Sequence, residues 1–256
     1  MNPRDWDELA ELDPYRFNVA GRDGQYKWDP LTFFMTGEVQ VAEVLAHAGN
    51  LGYPAERLCA LDFGCGVGRL TRALAARFER VYGVDASGAM IKLARELNAF
   101  ANCRFFVSAE ASLNLLGSDE FDMVYSWQVL QNTRNRAVAS SIIRECVRVL
   151  KPSGLLVFQF PARLPRPLAA GRCKRLKSLL KLIGARRSQL YWPLLGLGLK
   201  REFVYTRLRL WPADVWGMPQ DQVMALVQQA GARVLEIQIE PFGGIPDMNR
   251  IYWITK

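Results

Sequence analysis

The sequence of 256 residues holds one histidine, His47, and five cysteines, at 59, 65, 103, 146 and 173. The shortage of imidazole puts histidine-based catalysis in doubt, and His47, in an amphipathic segment ahead of the first strand, reads as structural. The cysteines are odd in number and form no C-x-x-C pair, so neither a disulfide framework nor a zinc site is indicated. Reduced, mostly buried thiols are the expectation. No apolar run approaches the roughly 18 residues that cross a bilayer, and the opening MNPRDWDELAELD lacks the apolar core of a secretory signal. These absences predict a soluble, cytoplasmic protein.

Acidic residues are missing locally. From Cys146 to Arg201 there are thirteen Lys or Arg and no Asp or Glu, whereas the other 20 basic residues of the chain stand against 25 acidic ones. The formal net charge of +8 is therefore the property of one region, and a local excess asks for a local cause. Half of the residues are apolar, which suits one enlarged domain and excludes a disordered chain.

From Arg57 onward, short runs rich in β-formers alternate with segments of helical period, the pattern of βαβ units around a parallel sheet. Strands are expected at 58–63, 80–85, 104–107, 121–126 and 154–160, with helices at 68–78, 87–99 and 136–150. The last helix runs into Lys151-Pro152-Ser153-Gly154, where proline stops it and glycine allows a turn into the next strand. A helix at 219–230 ends at Gly231, and alternation at 233–239 and 249–255 predicts a terminal antiparallel pair at the sheet edge. Residues 1–50 read as a helical N-terminal cap, with a clear amphipathic period over 38–48, and 51–256 as the main domain.

The stretch Leu61-Asp62-Phe63-Gly64-Cys65-Gly66-Val67-Gly68-Arg69-Leu70 carries three glycines at alternate positions, in the first βα turn. Open α/β sheets bind ligands there, and glycine lets a ligand touch the main chain. A dinucleotide fingerprint needs G-x-G-x-x-G, but Arg69 stands where its third glycine belongs, and Asp62 would repel a pyrophosphate. The acid suits a cationic ligand instead, and a dehydrogenase is disfavoured. Asp85 ends the next strand, placed either for a ribose diol or as the cap of the following helix.

LDFGCGVGRL, VYGVDAS, VSAEAS, FDMVYSWQVLQN and RVLKPSGLLVFQF follow one another in an order and spacing that resemble a class I S-adenosylmethionine-dependent methyltransferase of the small-molecule type. The resemblance covers 57–160 well and 206–256 more loosely. It implies an α/β fold: a doubly wound, mostly parallel seven-stranded sheet, Rossmann-like, with a helical N-terminal cap and a basic helical insertion before the last strands. It implies S-adenosyl-L-methionine as cofactor, with Gly64, Cys65 and Gly66 along the methionyl part and Asp62 near its ammonium. Asp85 would hold the ribose, Ala86 and Met90 would pack beside the adenine, and Ala109 and Glu110 would lie near its amino group. Ser126, Trp127 and Gln128 would border the sulfonium end, Trp127 having plain core packing as its alternative. Phe34-Met35-Thr36-Gly37 resembles a lid segment of relatives.

Relatives often carry histidines where this chain reads Trp127-Gln128-Val129-Leu130-Gln131-Asn132. A general base is needed only for a poor nucleophile such as a hydroxyl, and Glu202, Tyr205 and Tyr125 are the candidates. The run after the fourth strand is not the D/N-P-P-Y of amino-directed nucleic-acid enzymes, and no cysteine lies near that loop. The expected activity is O-methylation of a small-molecule, saccharide or lipid-linked acceptor. The alternatives are a non-catalytic cofactor-binding scaffold and an RNA-directed enzyme that uses the basic insertion.

That insertion spans 161–205. Within it Leu176, Leu179, Leu180 and Ile183 recur at helical spacing, and Arg172, Lys174, Arg175, Lys177, Lys181, Arg186 and Arg187 carry the charge. A cap helix over the site is one reading. A second is peripheral contact with an anionic membrane through 172–200, with Tyr191 and Trp192 at the interface, which would place the protein at the inner membrane face, and the third is a nucleic-acid surface, disfavoured because no RNA-binding motif accompanies the charge.

Overall fold

The computed structural model describes residues 6–7, 10–11, 14–15, 28–108, 112–162, 194, 197–199, 216–242 and 245–256. Its centre is one seven-stranded sheet in the order β3-β2-β1-β4-β5-β7-β6. The strands are β1 (Cys59–Phe63), β2 (Arg80–Asp85), β3 (Cys103–Val107), β4 (Phe121–Ser126), β5 (Leu150–Pro161), β6 (Arg233–Phe242) and β7 (Ile245–Thr255). The first five pair in parallel, and β7 runs antiparallel between β5 and β6. The expected terminal pair is therefore present, with β6 on the edge.

The helices are α1 (Pro30–Leu51), α2 (Arg69–Ala75), α3 (Gly88–Leu97), α4 (Arg136–Val149) and α5 (Gln220–Gln229). Alternate strand residues divide between two cores. Leu61, Val124, Leu156, Phe158, Tyr252 and Ile254 pack with Ile142 and Val147 of α4 and Val223 and Val227 of α5. Ala60, Met123, Tyr125, Val157, Ile251 and Trp253 pack on the other face with Val41, Val44 and Ala48 of α1 and Leu74 of α2. Both faces of the central strands are covered, which is why β1 and β4 are buried at every position. Burying each large aliphatic or aromatic chain contributes about 1.5–3 kcal/mol. The strand order reverses between β1 and β4, and a crevice at that switch point is where such sheets take ligands.

Two boundaries differ from the sequence expectation. The amphipathic period over 38–48 marks only the middle of α1, which starts at Pro30 because Asp29 caps it, its carboxylate accepting from the Thr32 N–H at 2.9 Å. The Lys151-Pro152-Ser153-Gly154 segment lies within β5 rather than ahead of it, as a register shift against β4. The residue in the left-handed region there is Ser153, at φ 61°. Gly154 is needed for space instead, since a Cβ would stand 2.9 Å from Leu150 Cδ1 and 3.1 Å from the Asp122 carbonyl.

His47 donates to or accepts from its neighbours on β6, with Nε2 2.9 Å from Glu236 Oε2, and its ring packs 4.5 Å from that of Trp253. It ties α1 to the sheet edge, in keeping with a structural role. Cys59, Cys65 and Cys146 are buried free thiols and Cys103 is partly exposed. Among the described residues no helix is long and apolar enough to cross a membrane, and no group of three His, Cys, Asp or Glu is arranged to hold a metal ion.

Candidate functional site

The turn after β1 is built by the glycines. Gly64, Gly66 and Gly68 have φ of 78°, 53° and 84°, a region that costs other residues roughly 1–2 kcal/mol each. At Gly64 a Cβ would also lie 2.2 Å from Val129 Cγ2, so the turn and the loop after β4 touch through the missing side chain. The Gly64 and Cys65 N–H groups both donate to the Val84 carbonyl, at 2.7 and 3.1 Å. The turn is thus hung from β2.

Asp62 lies under this turn, 1% exposed. Its Oδ2 accepts from the Thr71 hydroxyl at 2.7 Å, and among the described residues its Oδ1 has no partner. Burial pushes the carboxyl up from 3.8 to about 6, opposed by the Thr71 hydrogen bond and the nearby Arg69 guanidinium. A buried carboxylate oxygen without a donor is an invitation to a cation.

Asp85 ends β2 half-buried, and burial raises its carboxyl above the usual value despite two backbone donors. Oδ2 accepts from the Gly66 N–H and Oδ1 from the Ser87 N–H, both at 2.9 Å. The helix cap is Ser87, whose hydroxyl accepts from the Met90 N–H, so Asp85 is not the cap of α3. One carboxylate joins two turns, and its remaining lone pairs stay available for a diol. Asp7 covers the start of α3, accepting from the Ser87 hydroxyl at 2.6 Å and the Ala89 N–H at 3.1 Å.

The other expected residues lie at or just after the carboxyl ends of β1, β2 and β4. Cys65 and Gly66 are buried, while Gly64, Ala86, Trp127 and Gln128 are half-buried. The Cys65 thiol is held well above the ordinary range by burial and by Asp62 and Asp85, so it is not a nucleophile. Met90 is 1% exposed and packs with Val67, Phe33 and Phe34. The Ser126 hydroxyl is spent on the Phe63 carbonyl at 3.0 Å, pinning the ends of β4 and β1 together. Gln128 adopts φ 60° without being glycine, a backbone outlier just after β4, and its carbonyl accepts from Asn132 Nδ2 at 2.7 Å. Ala109, Glu110, Glu202 and Tyr205 lie outside the described residues, as does nearly all of the basic insertion.

Tyr125 is fully buried, and burial drives its hydroxyl far above the ordinary range. Its oxygen accepts from Gln40 Nε2 at 2.6 Å. A proton held that firmly does not make a base at neutral pH. Arg69, which breaks the dinucleotide spacing, also has a structural role. It turns under α1, 4% exposed, donating to Gln40 Oε1 at 2.8 Å and to Thr36 Oγ1 at 3.3 Å. The Arg69–Gln40–Tyr125 chain was missed because each residue is an ordinary polar position in its own segment. The Phe34-Met35-Thr36-Gly37 segment is the second turn of α1, with Gly37 so close that a Cβ would lie 2.5 Å from the Arg69 carbonyl.

Residues 61–158 match the family described as methyltransferase domain. An uncharacterized methyltransferase of Schizosaccharomyces pombe is 29% identical over 182 residues, 68% of this chain and 58% of that protein. A ubiquinone biosynthesis O-methyltransferase of Pseudomonas fluorescens is 33% identical over 109 residues, 41% of this chain and 45% of that protein. The chain thus spans about half the length of these two relatives. Magnesium protoporphyrin IX methyltransferase from Synechocystis PCC 6803, crystallised with bound SAH, shares the fold at a TM-score of 0.58 and 20% identity, over 99% of this chain and 97% of that one.

Proposed function

We propose, from a chain whose residues 61–158 belong to the methyltransferase-domain family, that the protein binds S-adenosylmethionine in the β1–β2–β4 crevice and transfers its methyl group to an acceptor hydroxyl. The observation that carries the reading is the Asp62 Oδ1, buried and, among the described residues, unpartnered beneath a turn of three glycines. The donor set fits the ligand. Asp62 suits the ammonium of the methionyl part, the glycines leave room for its chain, and Asp85 suits the ribose diol. Two carboxylates in the crevice favour a cationic nucleoside over a pyrophosphate.

Held by Asp62 and Asp85, S-adenosylmethionine would supply a methyl carbon activated by its sulfonium and leave as S-adenosylhomocysteine with the bonding electron pair on sulfur, the proton of the methylated oxygen being lost to solvent on release of the product. The chain's own part is alignment and exclusion of water. Val129 fills the space beside Gly64 on the β4 side, and Phe33 and Phe34 pack with Val67. A hydroxyl acceptor is supported by the O-methyltransferase among the relatives.

Calorimetric titration with S-adenosylhomocysteine tests the site. Wild type should bind, and Asp85→Ala should weaken binding by about two orders of magnitude, since hydrogen bonds to a charged group are worth about 1.5–3 kcal/mol each. Unchanged affinity in a folded variant would sink the assignment. The buried, hydrogen-bonded state of Tyr125 favours a second reading, a cofactor-binding protein without catalysis. Any methylated product made from labelled cofactor excludes it.

A further inference from the structure

Asn249, on β7, is fully buried, and among the described residues neither Nδ2 nor Oδ1 of its carboxamide has a hydrogen-bond partner. Gln159, on β5, is 4% exposed, and its Oε1 is likewise alone. Buried amides nearly always find partners, so two unsatisfied ones at neighbouring positions call for an explanation. The register makes them neighbours: Gln159 faces Ile251 and Pro161 faces Asn249, which sets the two amides diagonally across β5 and β7.

Both point to the face that α1 covers, because Val157, Ile251 and Trp253 of the same alternation belong to that core. Trp127 sits on this face too, packed against the same core with its ring 5.9 Å from that of Tyr125. Tyr125 pairs with Val157, so Trp127 stands level with Gln159. Passing from β1 to β7, the sheet end formed by the carboxyl ends of the parallel strands and the amino-terminal half of the antiparallel β7 presents Asp62, then Tyr125 and Trp127, then Gln159, then Asn249. The donor residues lie on one side of Trp127 and the unsatisfied amides on the other.

We infer that Gln159 and Asn249 are the hydrogen-bonding floor of the acceptor site and that the acceptor is a neutral, hydroxyl-rich ring of the saccharide or polyol class. The inference rests on the methyltransferase reading. Vicinal hydroxyls donate and accept together, which matches a carboxamide offering both functions beside a second carbonyl oxygen. The indole of Trp127 gives the apolar side of such a ring a surface to lie on. An anionic acceptor does not fit this face. The two amides are neutral, and the Arg69 guanidinium is already engaged by Gln40 and Thr36.

The experiment uses the full chain with labelled S-adenosylmethionine and five acceptors: methyl glucoside, methyl rhamnoside and myo-inositol as neutral members, glucuronate and glucose 6-phosphate as anionic ones. Label should enter a neutral member with kcat/KM about tenfold or more above the anionic ones. Asn249→Leu and Gln159→Met should each raise the acceptor KM about tenfold or more while the Kd for S-adenosylhomocysteine stays within about twofold. Each should also raise Tm by about 2–4 °C, because an apolar chain of similar shape removes an unsatisfied amide. Label only in anionic members, or in none while S-adenosylhomocysteine binds, overturns the inference and leaves the donor site standing. Unchanged KM in both variants, with ordered water alone on the amides in a crystal structure, overturns it as well. If wild type fails to bind S-adenosylhomocysteine, the methyltransferase reading itself falls.

Discussion

Asp62 has a folded-state carboxyl at about 6 against an ordinary 3.8, with burial as the leading cause. Because the folded value is the higher one, the protonated carboxyl favours folding below pH 3.8, and that contribution is lost as pH rises through about 6. At neutral pH the free protein therefore holds a carboxylate at a cost of about 3 kcal/mol. A bound ammonium offsets that cost, so proton and ligand compete for one oxygen. The Kd for S-adenosylhomocysteine should be flat above about pH 7 and rise toward tenfold per unit below about pH 6, measured by calorimetry between pH 4.5 and 8. Asp62→Asn should weaken binding at pH 7.5 and flatten the profile. A wild-type profile already flat down to pH 4.5 would remove Asp62 from the ammonium site.

At the scale of elements, the crevice depends on how α1 seats on α2 and β4. Gln40 is the joint, accepting from Arg69 and donating to Tyr125 across 85 positions of sequence. Gln40→Leu leaves a buried hydroxyl and a buried guanidinium short of partners, at about 1–3 kcal/mol, so Tm should fall by about 2–10 °C in a thermal melt. A melt that does not move would mean that water replaces Gln40 freely. This joint also marks where sequence reading stops. β1 and β4 were legible because fully buried strands are largely apolar runs, and the glycine turn was legible because a positive φ leaves few choices of residue. Gln40, Gln159 and Asn249 were not, since a polar residue in sequence carries no sign of the partner or face it meets until the α1 packing and the β5–β7 register are in place. The start of β5 was misplaced for a related reason: Gly154 serves crowding against Asp122 and Leu150, whereas a glycine in sequence signals a turn.

At the scale of the molecule, charge is divided between two parts of the chain. Thirteen cations and no acid lie between Cys146 and Arg201, and the rest of the protein is acidic on balance. Two of the thirteen, Arg148 and Lys151, pair with Glu145 and Asp122. The rest suit an anionic surface, and seven of them fall between 172 and 187, outside the described residues. At about 1 kcal/mol per cation near a charged bilayer, the seven together correspond to a Kd on the order of 10 μM, enough to hold the protein on vesicles at low salt. Co-sedimentation should therefore occur with vesicles of mixed phosphatidylserine and phosphatidylcholine, be absent with phosphatidylcholine alone, and weaken between 0.1 and 0.5 M NaCl as the screening length drops below about 5 Å. Deleting 172–187 should abolish it while S-adenosylhomocysteine still binds. Sedimentation that survives the deletion would assign the contact elsewhere, and retention on RNA but not on vesicles would turn the basic segment toward a nucleic acid.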